Sequence, residues 1–211
     1  MKIAQIKSLD FPEVKVVTAE KFSDGRGYFT ETYNKAEFAE NINLGSLSTA
    51  TFIQNNESYS KKNVIRGLHF QWNPYIAKLV RSIEGHMLDL ILDIRKNSPT
   101  FGKIIAYDMP ASAKSNFLEW IWIPVGFAHG NCFLETTRIE YLCTGKWNPK
   151  TEAGINPLSP DIDWSLCDKN LRKRFVEISR AQPILSDKDL KGHSVTDWNN
   201  NPDSNNFTYS K

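Results

Sequence analysis

Three side chains in the stretch Asn63–Arg81, NVIRGLHFQWNPYIAKLVR, are of the types that acid–base chemistry on an anionic ligand requires: Arg66, His69 and Lys78. They sit among apolar residues with strand-like spacing. Cationic and titratable groups on short strands more often line a cavity than serve packing. His69 alone would read as a core histidine bonded to a carbonyl, with Arg66 at the surface beside it; the trio reads as a site. Strict alternation puts Arg66 and His69 on opposite faces of a strand. Gly67 lies between them, where a bulge would turn both inward.

Other segments add polar groups. Met87–Ile94, MLDLILDI, places Leu88, Leu90, Leu92 and Ile94 on one face and Met87, Asp89, Ile91 and Asp93 on the other. Burying bare carboxylates is costly, so Asp89 either orients a histidine or serves as a structural carboxylate. Gln54, Asn55 and Asn56 stack amides that mark a turn or face a cavity. Arg26, Phe29 and Glu31 in KFSDGRGYFTETY form either a surface turn with an ion pair or a ligand contact. In WIWIPVGFAHGN the strand ends at Pro124, Gly126 permits a tight bend, and His129 begins the next strand. Arg138–Cys143 is a further strand with Ile139, Tyr141 and Cys143 on one side, where a tyrosine usually packs half-buried.

Short strands must position these groups. The apolar runs Ile3–Ile6 and Val14–Val17, with Pro12 between them, read as strands near a sheet edge. A turn at Asp24–Gly27 leads into a strand over Tyr28–Tyr33, and Asn34–Asn41 is a helix capped by Asn34. The segment 97–102 is a turn before a strand at Ile104–Met109. Ser165–Arg180 is one helix or two with basic faces, and Pro183–Asp189 is rich in turns. Residues 1–190 are expected to form one domain, with 191–211, including NNNPDSNN, as a polar tail loosely held or draped on the surface. The pattern is all-β, a sandwich or barrel with a few short peripheral helices.

Composition narrows the function classes. With 211 residues, 40% hydrophobic and 24% charged, the chain is of the ordinary soluble kind. A net charge of +2 without a long basic run argues against nucleic-acid binding. Cys132, Cys143 and Cys167 form no CxxC pair and read as reduced thiols. The opening MKIAQIKSLDF lacks a signal-peptide core, and no stretch is apolar enough for a membrane. A cytoplasmic protein is expected.

RGYFTE, QNN, VIRGLHFQ, KLVR, LDLILDIRKNSPTFG, IPVGFAHG, EYL, NPKTEAGI and ILSDKD follow one another from Phe22 to Asp189. In that order they resemble the dTDP-4-dehydrorhamnose 3,5-epimerases, and the P-x-G-x-x-H turn resembles that of the cupin superfamily. The resemblance implies a cupin-type jelly roll. It further implies a homodimer that epimerises dTDP-4-keto-6-deoxyglucose in rhamnose synthesis with no metal or other cofactor. The chemistry suits the residues: a C4 ketone acidifies the C3 and C5 hydrogens, a base removes one, and an acid returns it from the opposite face.

By similarity His69 is the base, Tyr141 the proton donor and Lys78 the cation beside the C4 oxyanion. Asp189 is preferred as the carboxylate that orients His69, with Asp89 as the alternative. Arg26, Arg66 and Lys188 would hold the diphosphate. Gln54, Asn55, Asn56, Glu31, Glu152 and His129 would contact nucleotide or sugar. Phe29 would form one wall of the thymine slot, and Trp147 in KWNP the other, where the family has a tyrosine. The basic segment Cys167–Arg180 lengthens the family's usual gap before LSDKD. A metal is not expected, because GLHFQ offers one histidine where the cupin metal motif has two. Three rivals remain: an epimerase of C3 alone or of another nucleotide sugar, a non-catalytic sugar-nucleotide cupin, and a metal-dependent cupin oxygenase.

Overall fold

Strand β8 (His86–Asp93) is buried at every residue but the first, and its alternate side chains enter two different cores. One of its faces carries Leu88, Leu90 and Leu92, and the other alternates Met87 and Ile91 with the buried carboxylates Asp89 and Asp93. The computed structural model describes residues 1–209. Around β8, two antiparallel sheets face one another. One runs in the order β1 (Ile3–Ser8), β2 (Lys15–Glu20), β10 (Phe117–Ile123), β7 (Lys78–Glu84), β12 (Thr137–Cys143), β5 (Gln54–Ser60). The other runs β13 (Glu152–Gly154), β6 (Ile65–Gln71), β11 (Phe127–Phe133), β8, β9 (Ile104–Pro110). A separate hairpin pairs β3 (Phe22–Asp24) with β4 (Gly27–Phe29). This is the expected cupin-type jelly roll.

Between the sheets lie Val16, Val80, Met87, Ile91, Ile121, Phe127 and Ile139, drawn from both layers. Leu88, Leu90 and Leu92 point outward to a second core, closed by Phe175 of helix α2 (Lys169–Arg180) and Trp198 of helix α4 (Val195–Asn200). The face of the six-stranded sheet that carries Leu79, Trp120 and Trp122 is covered by Phe38 of helix α1 (Lys35–Glu40) and by Leu44. Asn34 caps α1 as its sequence predicts, accepting from the N–H groups of Ala36 and Glu37. The three cysteines are buried and free.

Several expectations need correction. The strand read at Tyr28–Tyr33 stops at Phe29, and Thr30 instead turns its hydroxyl to the carbonyl of Glu20. Strand β11 starts at Phe127, two residues before His129. The basic segment forms a single helix, α2, with Asp168 accepting from Asn170 and Leu171 N–H. Pro183–Asp189 ends in a short helix, α3 (Asp187–Leu190). The C-terminal segment is packed rather than loose. Trp198 is fully buried against Phe70, Trp72 and Phe207, and Lys96 N–H donates to the Phe207 carbonyl. Its polar composition conceals Val195 and Trp198 three residues apart, one apolar face of a short helix. Residues 210 and 211 of the expected tail lie outside the described residues.

Candidate active site

The site forms where β6 and β11 cross. His129 pairs with His69, but Asn131 pairs with Arg66, so β6 carries one extra residue and the register shifts there. This is the bulge expected at Gly67, whose φ of 109° favours glycine. The strands approach so closely that a Cβ on Gly67 would lie 2.6 Å from Gly130 Cα, and one on Gly130 would lie 2.3 Å from the Arg66 carbonyl oxygen. The bulge breaks the alternation, and Arg66 and His69 line the same cavity.

That cavity, about 480 Å3, lies between the sheets and is also lined by Lys78, His129, Asn131, Tyr141 and Asp189. An adjoining cavity of about 410 Å3 shares His69, Lys78 and Tyr141 and adds Gln54, Asn56, Trp147 and Glu152. The two make one cleft. His69 enters from the five-stranded sheet, and Lys78 and Tyr141 from the six-stranded sheet. A molecule between them would meet an imidazole on one side and a phenol on the other.

Each histidine has its own aspartate. His69 Nε2 lies 2.6 Å from Asp189 Oδ1, and Ser186 Oγ donates to the other carboxylate oxygen at 2.8 Å. Burial raises the pKa of Asp189, but the hydrogen bonds from His69 and Ser186 outweigh it, leaving the group below the usual aspartate value. An ionised carboxylate only accepts, so Nε2 of the neutral imidazole carries the proton and Nδ1 keeps its lone pair. Asp89 instead engages His129, with Oδ2 at 2.8 Å from Nε2 and 3.0 Å from Asn131 Nδ2. The alternative in which Asp89 orients His69 is therefore set aside. His129 is buried, and desolvation lowers its pKa despite Asp89.

Lys78 is half-buried at the junction of the two cavities, and no hydrogen bond within the described residues occupies its ammonium group. Desolvation lowers its pKa; Cys143, Glu152 and Asp89 act the other way. Burial raises the pKa of Tyr141, helped by Cys143 and opposed by Arg66, so the phenol keeps its proton at neutral pH.

The remaining candidates divide. Gln54 and Asn56 face the cleft and bond to each other, whereas Asn55 points to the opposite face and donates to Glu140. Arg66 lines the cleft, its Nε held by Ser60. Trp147 stands at the mouth, its indole N–H on Glu152 Oε2, the oxygen that also takes the Lys188 ammonium. For Glu152, burial raises the pKa, but Lys188 and Trp147 bring it below the ordinary value.

Arg26, Phe29 and Glu31 do not line this chain's cleft. Arg26 is bound to Asp24 at the hairpin tip, Glu31 takes the Met1 amino group and the Asn34 amide, and Phe29 is 71% exposed. Phe29 belongs to a separate and wider cavity, about 1010 Å3, which contains none of His69, Lys78, Tyr141 or Asp189. Among the described residues no three His, Cys, Asp or Glu side chains are gathered as a metal ion would need, and no helix is long and apolar enough to cross a membrane.

Reading the sequence missed Ser186, Asn131, Cys143, Gln71 and Gly154. Ser186 was within reach, since S-x-x-D is a helix-capping pattern and Ser186 caps α3. Gly154 lies beneath His69, where a Cβ would sit 3.1 Å from the ring; nothing local marks it.

A family model for dTDP-4-dehydrorhamnose 3,5-epimerase matches residues 8–197. The dTDP-4-dehydrorhamnose 3,5-epimerase of Shigella flexneri is 37% identical over 190 residues, 89% of this chain and 94% of the relative. That of Neisseria gonorrhoeae is 39% identical over 184 residues, 86% of this chain and 49% of the relative, so the chain spans about half the length of that protein. The crystal structure of a dTDP-6-deoxy-D-glucose-3,5-epimerase from Legionella pneumophila, in complex with dTDP-4-keto-L-rhamnose, aligns with a TM-score of 0.78 at 31% identity, covering 98% of each chain. Fold, cleft and likeness define an isomerase of the cupin kind. The chain belongs to the dTDP-4-dehydrorhamnose 3,5-epimerase family.

Proposed function

We propose that this chain epimerises C3 and C5 of dTDP-4-dehydro-6-deoxyglucose, giving dTDP-4-dehydrorhamnose, as a cytoplasmic homodimer. The observation that carries the reading is the opposed pair: His69, held by Asp189, and Tyr141, protonated by burial, reach one cleft from different sheets. His69 Nδ1 takes the proton from the carbon beside the ketone. The electron pair moves to the C4 oxygen, where Lys78 offers an unengaged cation. Tyr141 returns a proton from the other face and the centre inverts. Groups of this kind each contribute about 10²–10⁴-fold.

Around that core, Arg66 and Lys188 are assigned to the diphosphate, Gln54, Asn56, His129 and Glu152 to sugar or nucleotide, and Trp147 to stacking on the base. The dimer is supported by the exposed hairpin. Arg26 and Phe29 have the chemistry to grip a phosphate and a base, yet within one chain they stand outside the cleft.

Proton NMR of the substrate in D2O tests the reading. Wild-type protein is expected to exchange both C3 and C5 hydrogens, and His69→Ala to abolish exchange while nucleotide affinity stays within a few-fold. Exchange at C3 alone would instead establish the single-centre epimerase. Exchange that survives in His69→Ala would remove His69 as the base.

A further inference from the structure

We propose that Gln71 is a positioning residue, whose side-chain amide locks the Trp147 wall of the cleft to the strand that carries His69. Gln71 is the last residue of β6, two beyond His69, and is 3% exposed. Its Nε2 donates to the carbonyls of Pro74 at 2.8 Å and Lys146 at 3.0 Å, and its Oε1 accepts from Asn148 N–H at 2.7 Å. The amide orientation follows from these partners, since carbonyls only accept and a backbone N–H only donates. Lys146 and Asn148 flank Trp147 in the chain, so one side chain grips the backbone on both sides of the indole. Both amide hydrogens are engaged within the chain, and no donor is left for a ligand.

The ring is referenced to the same place. Trp147 Nε1 donates to Glu152, and Glu152 pairs with Gln71 across the β13–β6 ladder. On that ladder the next pair but one is Gly154 with His69. Wall and base are therefore two residues apart on one two-stranded frame. Asn148 Nδ2 and Thr151 Oγ1 tie the loop further to the carbonyl of Asn73. A loop with an exposed tryptophan would otherwise have to order itself when the nucleotide binds, at a cost in affinity. Gln71 removes most of that cost by holding the wall in place before the nucleotide arrives.

This inference rests on the reading of Trp147 as the base-stacking wall, and double-variant kinetics separate the two. Trp147→Ala should raise KM; an unchanged KM would overturn the wall reading itself. Gln71→Leu deletes all three bonds and should raise KM roughly tenfold, the scale of one stacked base. Its kcat should stay within about twofold, because uniform binding is lost and the proton-transfer groups are untouched. In the Trp147→Ala background Gln71→Leu should add nothing further. Given a wall effect, KM increases that multiply in the double variant, or a fall in kcat at constant KM, would overturn the clamp. Should Gln71→Leu fail to fold, Asn148→Ala loosens the same loop through its bond to Asn73 and must likewise lose its KM effect without Trp147.

Discussion

His69 and His129 are cross-strand partners held by separate aspartates, and burial sets them apart. The His69 side chain is 28% exposed to the cleft, as its proposed role as the base requires, while His129 is 7% exposed and held neutral by desolvation. A histidine whose folded pKa lies below its unfolded value near 6.5 is easier to protonate in the unfolded chain. Stability is therefore full above about pH 6.5, falls as pH drops through that value, and stops falling at the lowered folded pKa. The slope is at most about 1.4 kcal/mol per pH unit. Asp189, with a lowered pKa, loses its contribution in the same direction but in a lower window. Its contribution holds above the ordinary aspartate value near 3.8 and is lost only in stronger acid. Between pH 7 and pH 5 the histidine effect stands apart from it. Wild-type protein should lose melting temperature across that interval, and His129→Gln, which cannot titrate, should lose clearly less. Equal losses in calorimetry would show that His129 is not the buried neutral group.

Among the elements, the C-terminal segment contributes most that its composition hides. Trp198 packs edge-on to Phe70 with ring centroids 4.6 Å apart, and Phe70 lies between His69 and Gln71 on β6. His193 N–H donates to the Gly154 carbonyl, so the same segment braces β13 behind the His69 ring. Trp198→Ala should cost about 3–5 kcal/mol in denaturant unfolding, the usual scale for a buried aromatic. A loss under about 1 kcal/mol would mean that the segment is not part of the core. The contrast with β8 shows what can be read from one chain. MLDLILDI states the division of its two faces locally, and the structure adds that the face of Leu88, Leu90 and Leu92 and the face of Met87 and Ile91 enter separate cores. Trp198 and Gln71 state nothing locally, because their partners lie in distant loops. Gln71 is invisible for a further reason: all its partners are backbone atoms, which carry no residue type. The bulge at Gly67 was legible as a possibility; that it turns Arg66 and His69 into one cavity depends on Gly130 crossing beneath it.

For the molecule as a whole, the mismatch lies between the cleft and the β3–β4 hairpin. Arg26, Phe29 and Glu31 read as ligand contacts by resemblance and as a surface turn by local chemistry, and a single chain supports the second. Both readings hold if the hairpin of one copy closes the cleft of another. Phe22, Tyr28 and Phe29 at the hairpin are each about half exposed or more, an apolar tip suited to a protein neighbour. In such a dimer a site needs His69 from one chain and Phe29 from the other. His69→Ala and Phe29→Ala homodimers would each be impaired in both sites. Mixed and allowed to exchange subunits, equal amounts should yield roughly half heterodimers. Each heterodimer would then hold one site with both residues intact and one with neither. The mixture should regain about a quarter of wild-type turnover. If the hairpin serves its own chain, every site in the mixture lacks one residue, and no activity beyond the average of the two variants will return.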